Sequence, residues 1–206
     1  KPRYIWVDAA ANFPDFANSK ENIARDLALA KDAGFTDIVV DVRPTTGDVL
    51  FKTNLVDQVK FMYAWIGSNY TKVERTATWD YLQAFVDEAR KQGLRIHAAI
   101  NTFVGGNQID GGTGLLYRDQ SKAEWATQMN MQVGITSVMN TSESTKFFNP
   151  AHPEVQTFLC DLLKDLAGYD LDGIFLDRGR FLNLQADFSE ESRKQFEEYL
   201  DQMCSI

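Results

Sequence analysis

Residues 34–43, GFTDIVVDVR, place a glycine just ahead of a run rich in β-branched side chains. Gly34 suits the left-handed residue that ends a helix, and Asp37 to Arg43 reads as a strand buried on both faces, because Ile38 to Val40 is an unbroken apolar core. Behind it, a helix opens near Ser19 and carries Ile23, Leu27 and Ala30 on one face. Ahead of it the pattern recurs. A helix opens near Thr78, repeats Leu82, Phe85, Val86 and Ala89, and closes at Gly93 before a strand from Arg95 to Asn101. A third starts around Pro153, runs through Val155, Phe158, Leu159, Leu162, Leu163 and Leu166, and leads to Gly173–Asp177. A first strand, Tyr4 to Ala9, precedes all of these, and a last helix near Ser189 has Phe196, Tyr199, Leu200 and Met203 as its apolar face.

Alternating strands and helices define an α/β fold with a parallel sheet, closed as a barrel or open and doubly wound. An open nucleotide-binding sheet usually has a glycine-rich turn after its first strand; here that turn reads DAAANFPDF, residues 8–16, with no phosphate cradle. The expectation is therefore a (β/α) TIM-barrel type fold, represented by its first four βα units across residues 1–206, a half or truncated barrel. Four strands do not enclose a filled interior, so the missing C-terminal half or a self-association partner is expected to cover the open edges.

Composition narrows the function. Apolar residues make up 44% and charged ones 24%, ordinary values for a folded chain, which excludes disorder. The net charge of -8, with no basic stripe, argues against nucleic acid. The apolar runs are too short to span a bilayer. Lys1 in place of Met fits either a trimmed chain or a mature protein whose leader was removed. Cys160, inside an apolar helical pattern, is expected buried and free, and Cys204 completes neither a disulfide framework nor a metal motif. No cofactor and no metal are implied; His152 reads as a helix-start residue and His97 as a satisfied core histidine.

In barrels the chemistry sits where strands end. Alternation groups Trp6 with Asp8, Asp41 with Arg43, His97 with Asn101, and Phe175 with Asp177, and each set ends in a polar residue at the C-terminal edge of its strand. Asp177 is the candidate catalytic carboxylate; its other reading is an ion pair with Arg43 or Arg178. Asp8, Arg43 and Asn101 are candidate substrate contacts, with turn-capping and loop-anchoring as the alternatives for Asp8 and Asn101. Arg180 and Asn183 come on the next loop, as candidate contacts of the same pocket or as surface residues. Two long loops, about Pro44 to Ala77 with Tyr63, Trp65 and Tyr70, and about Thr102 to Pro150 with Tyr117 and Trp125, read either as substrate walls or as segments pinned by their aromatics. Trp125 is taken as a substrate contact. Asp170 and Asp172, before the last strand, read as turn residues.

FNPAHPEVQ (residues 148–156) and YDLDGIFLDRGRF (169–181), with YIWVDAAAN (4–12), GFTDIVVDVRPTTGDVLF (34–51) and GLRIHAAINTF (93–103), resemble the bacterial glycosyl-hydrolase-like proteins of family ten, related to the α-amylase superfamily. The resemblance covers nearly the whole chain. It implies a barrel domain of exported bacterial proteins, extracellular, periplasmic or at the cell surface, with carbohydrate as partner. It also assigns Asp177 the nucleophile position. The chain departs from the amylase segment in two places: Phe175 stands where an arginine is usual, and the closing histidine is absent. A retaining glycosidase needs a second carboxyl about 5–5.5 Å from the first, and in the amylase-like arrangement that group comes after a later strand. Two functions therefore stand: a glycoside hydrolase domain incomplete in this chain, and a non-catalytic carbohydrate-binding or scaffold protein. A small domain using a mononucleotide is the third.

Overall fold

The computed structural model describes residues 1–204. In chain order its strands and α-helices are β1 (Tyr4–Val7), α1 (Phe13–Phe16), α2 (Lys20–Asp32), β2 (Asp37–Arg43), β3 (Phe61–Ile66), β4 (Asn69–Glu74), α3 (Tyr81–Gln92), β5 (Arg95–Asn101), β6 (Val104–Asn107), α4 (Leu115–Arg118), β7 (Gln128–Met131), β8 (Gly134–Ser137), β9 (Thr145–Phe147), α5 (Pro153–Leu166), β10 (Gly173–Asp177) and α6 (Glu190–Cys204). They fall into two compact units, one made of residues 1–44, 48–101 and 162–177, the other of 45–47, 102–161 and 178–206.

The first unit holds a four-stranded parallel sheet in the order β1-β2-β5-β10. The protein is thus α/β with strands in chain order. β2 is buried along its whole length and β5 from its second residue onward, which is why both read as apolar runs. α3 packs on β2 and β5 through Leu82, Phe85, Val86 and Ala89, all buried, and Phe85 meets Phe16 edge-to-face at 5.4 Å. The larger of these side chains contribute about 1.5–3 kcal/mol each. Ser19 caps α2 by accepting from the Asn22 N–H. α3 starts at Tyr81, three residues later than the apolar pattern suggests, because Asp80 accepts from the Gln83 N–H and fixes the N-terminus there. Gly34 and Gly93 take positive φ, 87° and 68°, where a side chain would be strained.

β1 stops at Val7, two residues short of the expected end, because the Asp8 carboxylate accepts from the Ala11 N–H at 2.7 Å and its carbonyl accepts from Asn12, turning the chain into α1. The long segment after β2 is ordered by an antiparallel hairpin, β3–β4. Phe61, Tyr63 and Trp65 on one strand and Tyr70 and Lys72 on the other share a face, with Tyr63 and Tyr70 stacked at 5.3 Å.

The second unit pairs β6 with β9 and β7 with β8, both antiparallel. Lys146 is buried and its ammonium donates to the carbonyls of Val138 and Thr141. Asp187 accepts from Thr127, the Gln128 N–H, Ser189 and Ser192, and this network pulls its pKa below the usual carboxylate range in spite of burial. Cys160 is exposed, contrary to expectation: α5 buries Val155, Phe158, Leu159 and Leu162, and Cys160 lies on the polar stripe with Gln156 and Lys164. The apolar side chains of α6 are also uncovered, with Phe196, Tyr199 and Met203 each more than half exposed.

Candidate active site at the strand ends

Parallel strands present their C-terminal ends on one side of a sheet, so the register decides which side chains meet there. Trp6 stands beside Val39, which pairs with His97, which pairs with Gly173; Asp41 is beside Ala99, and Ala99 beside Phe175; Asp177 is beside Asn101. The alternation that pairs Asp41 with Arg43 breaks, because the β2–β5 register shifts between those residues, Asp41 facing Ala99 and Arg43 facing Ile100. A bulge of this kind adds one residue to one strand and re-aims the side chains beyond it.

Arg43 and Asn101 are both buried. The Arg43 Nη1 donates to the Asn101 carbonyl, and the Asn101 Nδ2 donates to the Arg43 carbonyl at 2.9 Å, a reciprocal clamp between the ends of β2 and β5. Burial lowers the Arg43 pKa to about 10, against the charges of Asp48 and Asp41. The guanidinium therefore serves the frame of the site.

Asp8 and Asp177 are exposed. Asp41 lies beneath, 8% exposed, accepting the Arg43 N–H at 3.2 Å. Burial pushes its carboxyl up to about 7, over the lowering by backbone N–H groups of Arg43 and Ala9, and the charges of Asp8 and Asp177 push the same way. The charges of Asp8, just past the end of β1, and of Asp177 on β10 thus both act on Asp41 of β2. Near neutrality Asp41 sits at its own titration point, holding a proton that the other two acids favour. Tyr81, at the start of α3, is buried under the same group with a hydroxyl that has no hydrogen-bond partner among the described residues; burial and then Asp41 raise its pKa.

Deeper on the same sheet, the Arg95 guanidinium holds Asp37 well below the usual carboxylate range, with Thr36 and His97 adding to it against burial. His97 donates or accepts through Nε2 with Asp37 at 2.9 Å, the satisfied core histidine of the sequence reading. Gly173 is needed opposite it, since a Cβ there would lie 2.8 Å from Nδ1. Tyr4 and Phe175 flank this histidine and Trp6 meets Phe175, with ring centroids 5.5–6.1 Å apart, and the three remain 38–50% exposed.

Three residues expected at the site, Trp125, Arg180 and Asn183, belong to the second unit. Trp125 is buried, against Phe148 at 5.8 Å and Phe158 at 5.4 Å, with its Nε1 donating to Glu154, so its ring is a packing element and not a wall open to substrate. Arg180 is exposed and its Nη1 donates to the carbonyls of Phe181 and Leu182, bracing its own loop. Asp170 and Asp172, in the first unit, bind Arg90 at 2.7 Å each, and Asp172 also accepts the Ile96 N–H. Sequence reasoning missed Asp41 and Tyr81 as site residues. For Asp41 a signal existed: an acid inside the apolar run Ile38 to Val42 is expensive to bury without a purpose. Among the described residues no cluster of His, Cys, Asp and Glu could hold a metal ion.

A parallel α/β sheet carries its functional groups at the C-terminal ends of its strands. The fold is similar to the α-L-fucosidase isoenzyme 2 of Paenibacillus thiaminolyticus, with TM-score 0.61, 18% identity and coverage of 96% of this chain and 26% of that one. It is similar also to a hypothetical protein of Ruminiclostridium thermocellum, with TM-score 0.57, 15% identity and coverage of 97% and 89%. The chain belongs to the Glycosyl hydrolase-like 10 family, which matches residues 1–203. An S-layer-related protein of Niallia circulans is 32% identical over 202 residues, 95% of this chain but 12% of that protein's length.

Proposed function

We propose that the chain is the first four βα units of a larger glycoside hydrolase barrel, with Asp177 as the carboxylate that meets the sugar's anomeric carbon. The observation that carries this reading is the triad of acids at the strand ends, two exposed and one buried with its pKa near 7. Glycoside hydrolysis needs carboxyl groups held in different protonation states by their surroundings. In this reading Asp177 and Asp8 face the sugar. Asp41 acts through them as a positioning residue, its proton relieving the repulsion that three carboxylates would otherwise feel. Arg43 and Asn101 hold the two strand ends in place. The second catalytic carboxyl comes from outside the four strands, whose uncovered aromatic face (Tyr4, Trp6 and Phe175) further strands would bury.

The test is turnover on a panel of glycans and aryl glycosides by the longer parent protein. Asp177→Asn is expected to lower kcat on the order of 10³-fold or more with folding unchanged, and undiminished turnover refutes the assignment. A second reading, a carbohydrate-binding or scaffold domain of the cell surface without chemistry, draws on the S-layer-related relative. Binding of a glycan by the parent with no turnover of any panel member selects it.

A further inference from the structure

Outside the strand ends, the first unit holds a hollow of about 710 Å³. Its walls carry three cations, Lys52, Lys60 and Arg75, and two acids, Asp80 and Asp165. The acids are occupied. Asp80 accepts the Tyr169 hydroxyl and the Gln83 N–H, and Asp165 accepts the Thr53 hydroxyl at 2.6 Å. Lys52, Lys60 and Arg75 make no ion pair among the described residues, although the Asp80 charge acts on Arg75. Arg75 is half-buried, its guanidinium 4.9 Å from the Trp79 ring and held there by the carbonyls of Ala77 and Trp79.

The frame around these charges is fixed. Lys60 and Arg75 close the base of the β3–β4 hairpin, the Arg75 N–H donating to the Lys60 carbonyl at 2.8 Å. The Lys52 N–H donates to the Tyr169 hydroxyl at 2.7 Å, and the Gln58 Nε2 donates to the Phe51 carbonyl. A chain with 29 acidic and 21 basic residues has acids to spare for neutralising surface cations. Three unpaired cations around one preformed concavity are therefore a site for an anion that comes from outside.

We propose that this hollow is a binding site for an acidic sugar, one bearing a carboxylate or phosphate, separate from the strand-end acids. Lys52, Lys60 and Arg75, which line the hollow together, supply the positive charge that meets the negative group. The volume exceeds what a bare phosphate fills, and the amide of Asn54 and hydroxyl of Thr78 on the same wall suit sugar hydroxyls. The anion part stands on the local charges alone, and the sugar part rests on the carbohydrate reading above.

The experiment is calorimetric titration of the folded chain with digalacturonate, glucose 6-phosphate, their neutral counterparts and inorganic phosphate, at low and high salt. The acidic sugars are expected to bind, the neutral ones at least tenfold more weakly, with affinity falling as salt rises. Lys52→Ala/Lys60→Ala is expected to lower acidic-sugar affinity at least tenfold while Lys194→Ala, on α6 and outside the hollow, leaves it unchanged. Equal binding of neutral and acidic sugars, or an unaltered affinity in the double lysine variant, overturns the proposal. So does inorganic phosphate binding as tightly as the acidic sugars. Glycan binding that is lost in Asp177→Asn but indifferent to the lysines overturns this inference and leaves the strand-end reading standing.

Discussion

Replacing Asp41 by Asn tests whether a buried, proton-holding acid lies at the strand ends. A carboxyl whose folded pKa exceeds its unfolded one favours the fold fully below the unfolded value, and that contribution is lost as pH rises through the folded value. For Asp41 the window runs from about 4 to about 7, and the rise from 3.8 to about 7 corresponds to about 4 kcal/mol at ~1.36 kcal/mol per pH unit. Asn keeps an oxygen that accepts the Arg43 N–H but carries no titratable proton. Any packing penalty it brings is the same at every pH. The measurement is urea unfolding of both proteins at several pH values between 4 and 8. The stability of the variant relative to the parent sequence is expected to increase by about 4 kcal/mol across that range, carboxylates that do not interact with Asp41 cancelling in the difference. A difference that does not change with pH refutes the raised pKa and, with it, the protonation split on which the proposed mechanism rests.

Asp37 has the opposite sign. Its depressed pKa contributes stability that is present above about pH 4 and lost on acidification, so Asp37→Asn is expected to flatten the acid limb of the unfolding profile. Because Arg95 is half exposed, the loss at pH 7 is about 2 kcal/mol, and chemical denaturation at pH 7 and pH 3 measures both effects. Trp125→Ala is expected to cost about 3–5 kcal/mol in unfolding free energy and to leave glycan affinity unchanged where binding persists, since the ring packs between Phe148 and Phe158; a loss of affinity without a loss of stability returns it to the substrate wall.

The strands most legible from the sequence were those whose two faces are both covered. β2 and β5 have the bounds expected around their apolar runs, because burial on both sides leaves little freedom in what the side chains are. β10 was legible although it is half-buried or exposed along its length, since Ile174 to Leu176 keeps the same unbroken apolar run. Gly34, Gly93 and Ser19 were legible for a local reason: each satisfies a helix end by itself. The β3–β4 hairpin had a signal too, the alternating Phe61, Tyr63 and Trp65 before Gly67-Ser68, where Gly67 takes a φ of 61°. Its aromatics lie partly exposed, which length and composition of a loop do not reveal. Trp125 shows the converse, an aromatic on a long segment that turned out to be core.

The candidate site was half legible, for a geometric reason. Period-two alternation places Asp8, Arg43, Asn101 and Asp177 at one edge, and the register sets Asn101 beside Asp177. It fails at Arg43, where one extra residue in β2 changes the phase. That single insertion reorders the chemistry. The guanidinium expected beside Asp177 is clamped against the Asn101 carbonyl, and the acid two residues before it takes the buried position. A bulge leaves no mark in hydrophobic pattern, since both phases here fall on buried residues. Sequence does carry the energetic anomaly of an acid in an apolar run, and at Asp41 that anomaly and the geometry meet: burial holds the proton on this carboxyl up toward neutrality, while Asp8 and Asp177 stay exposed.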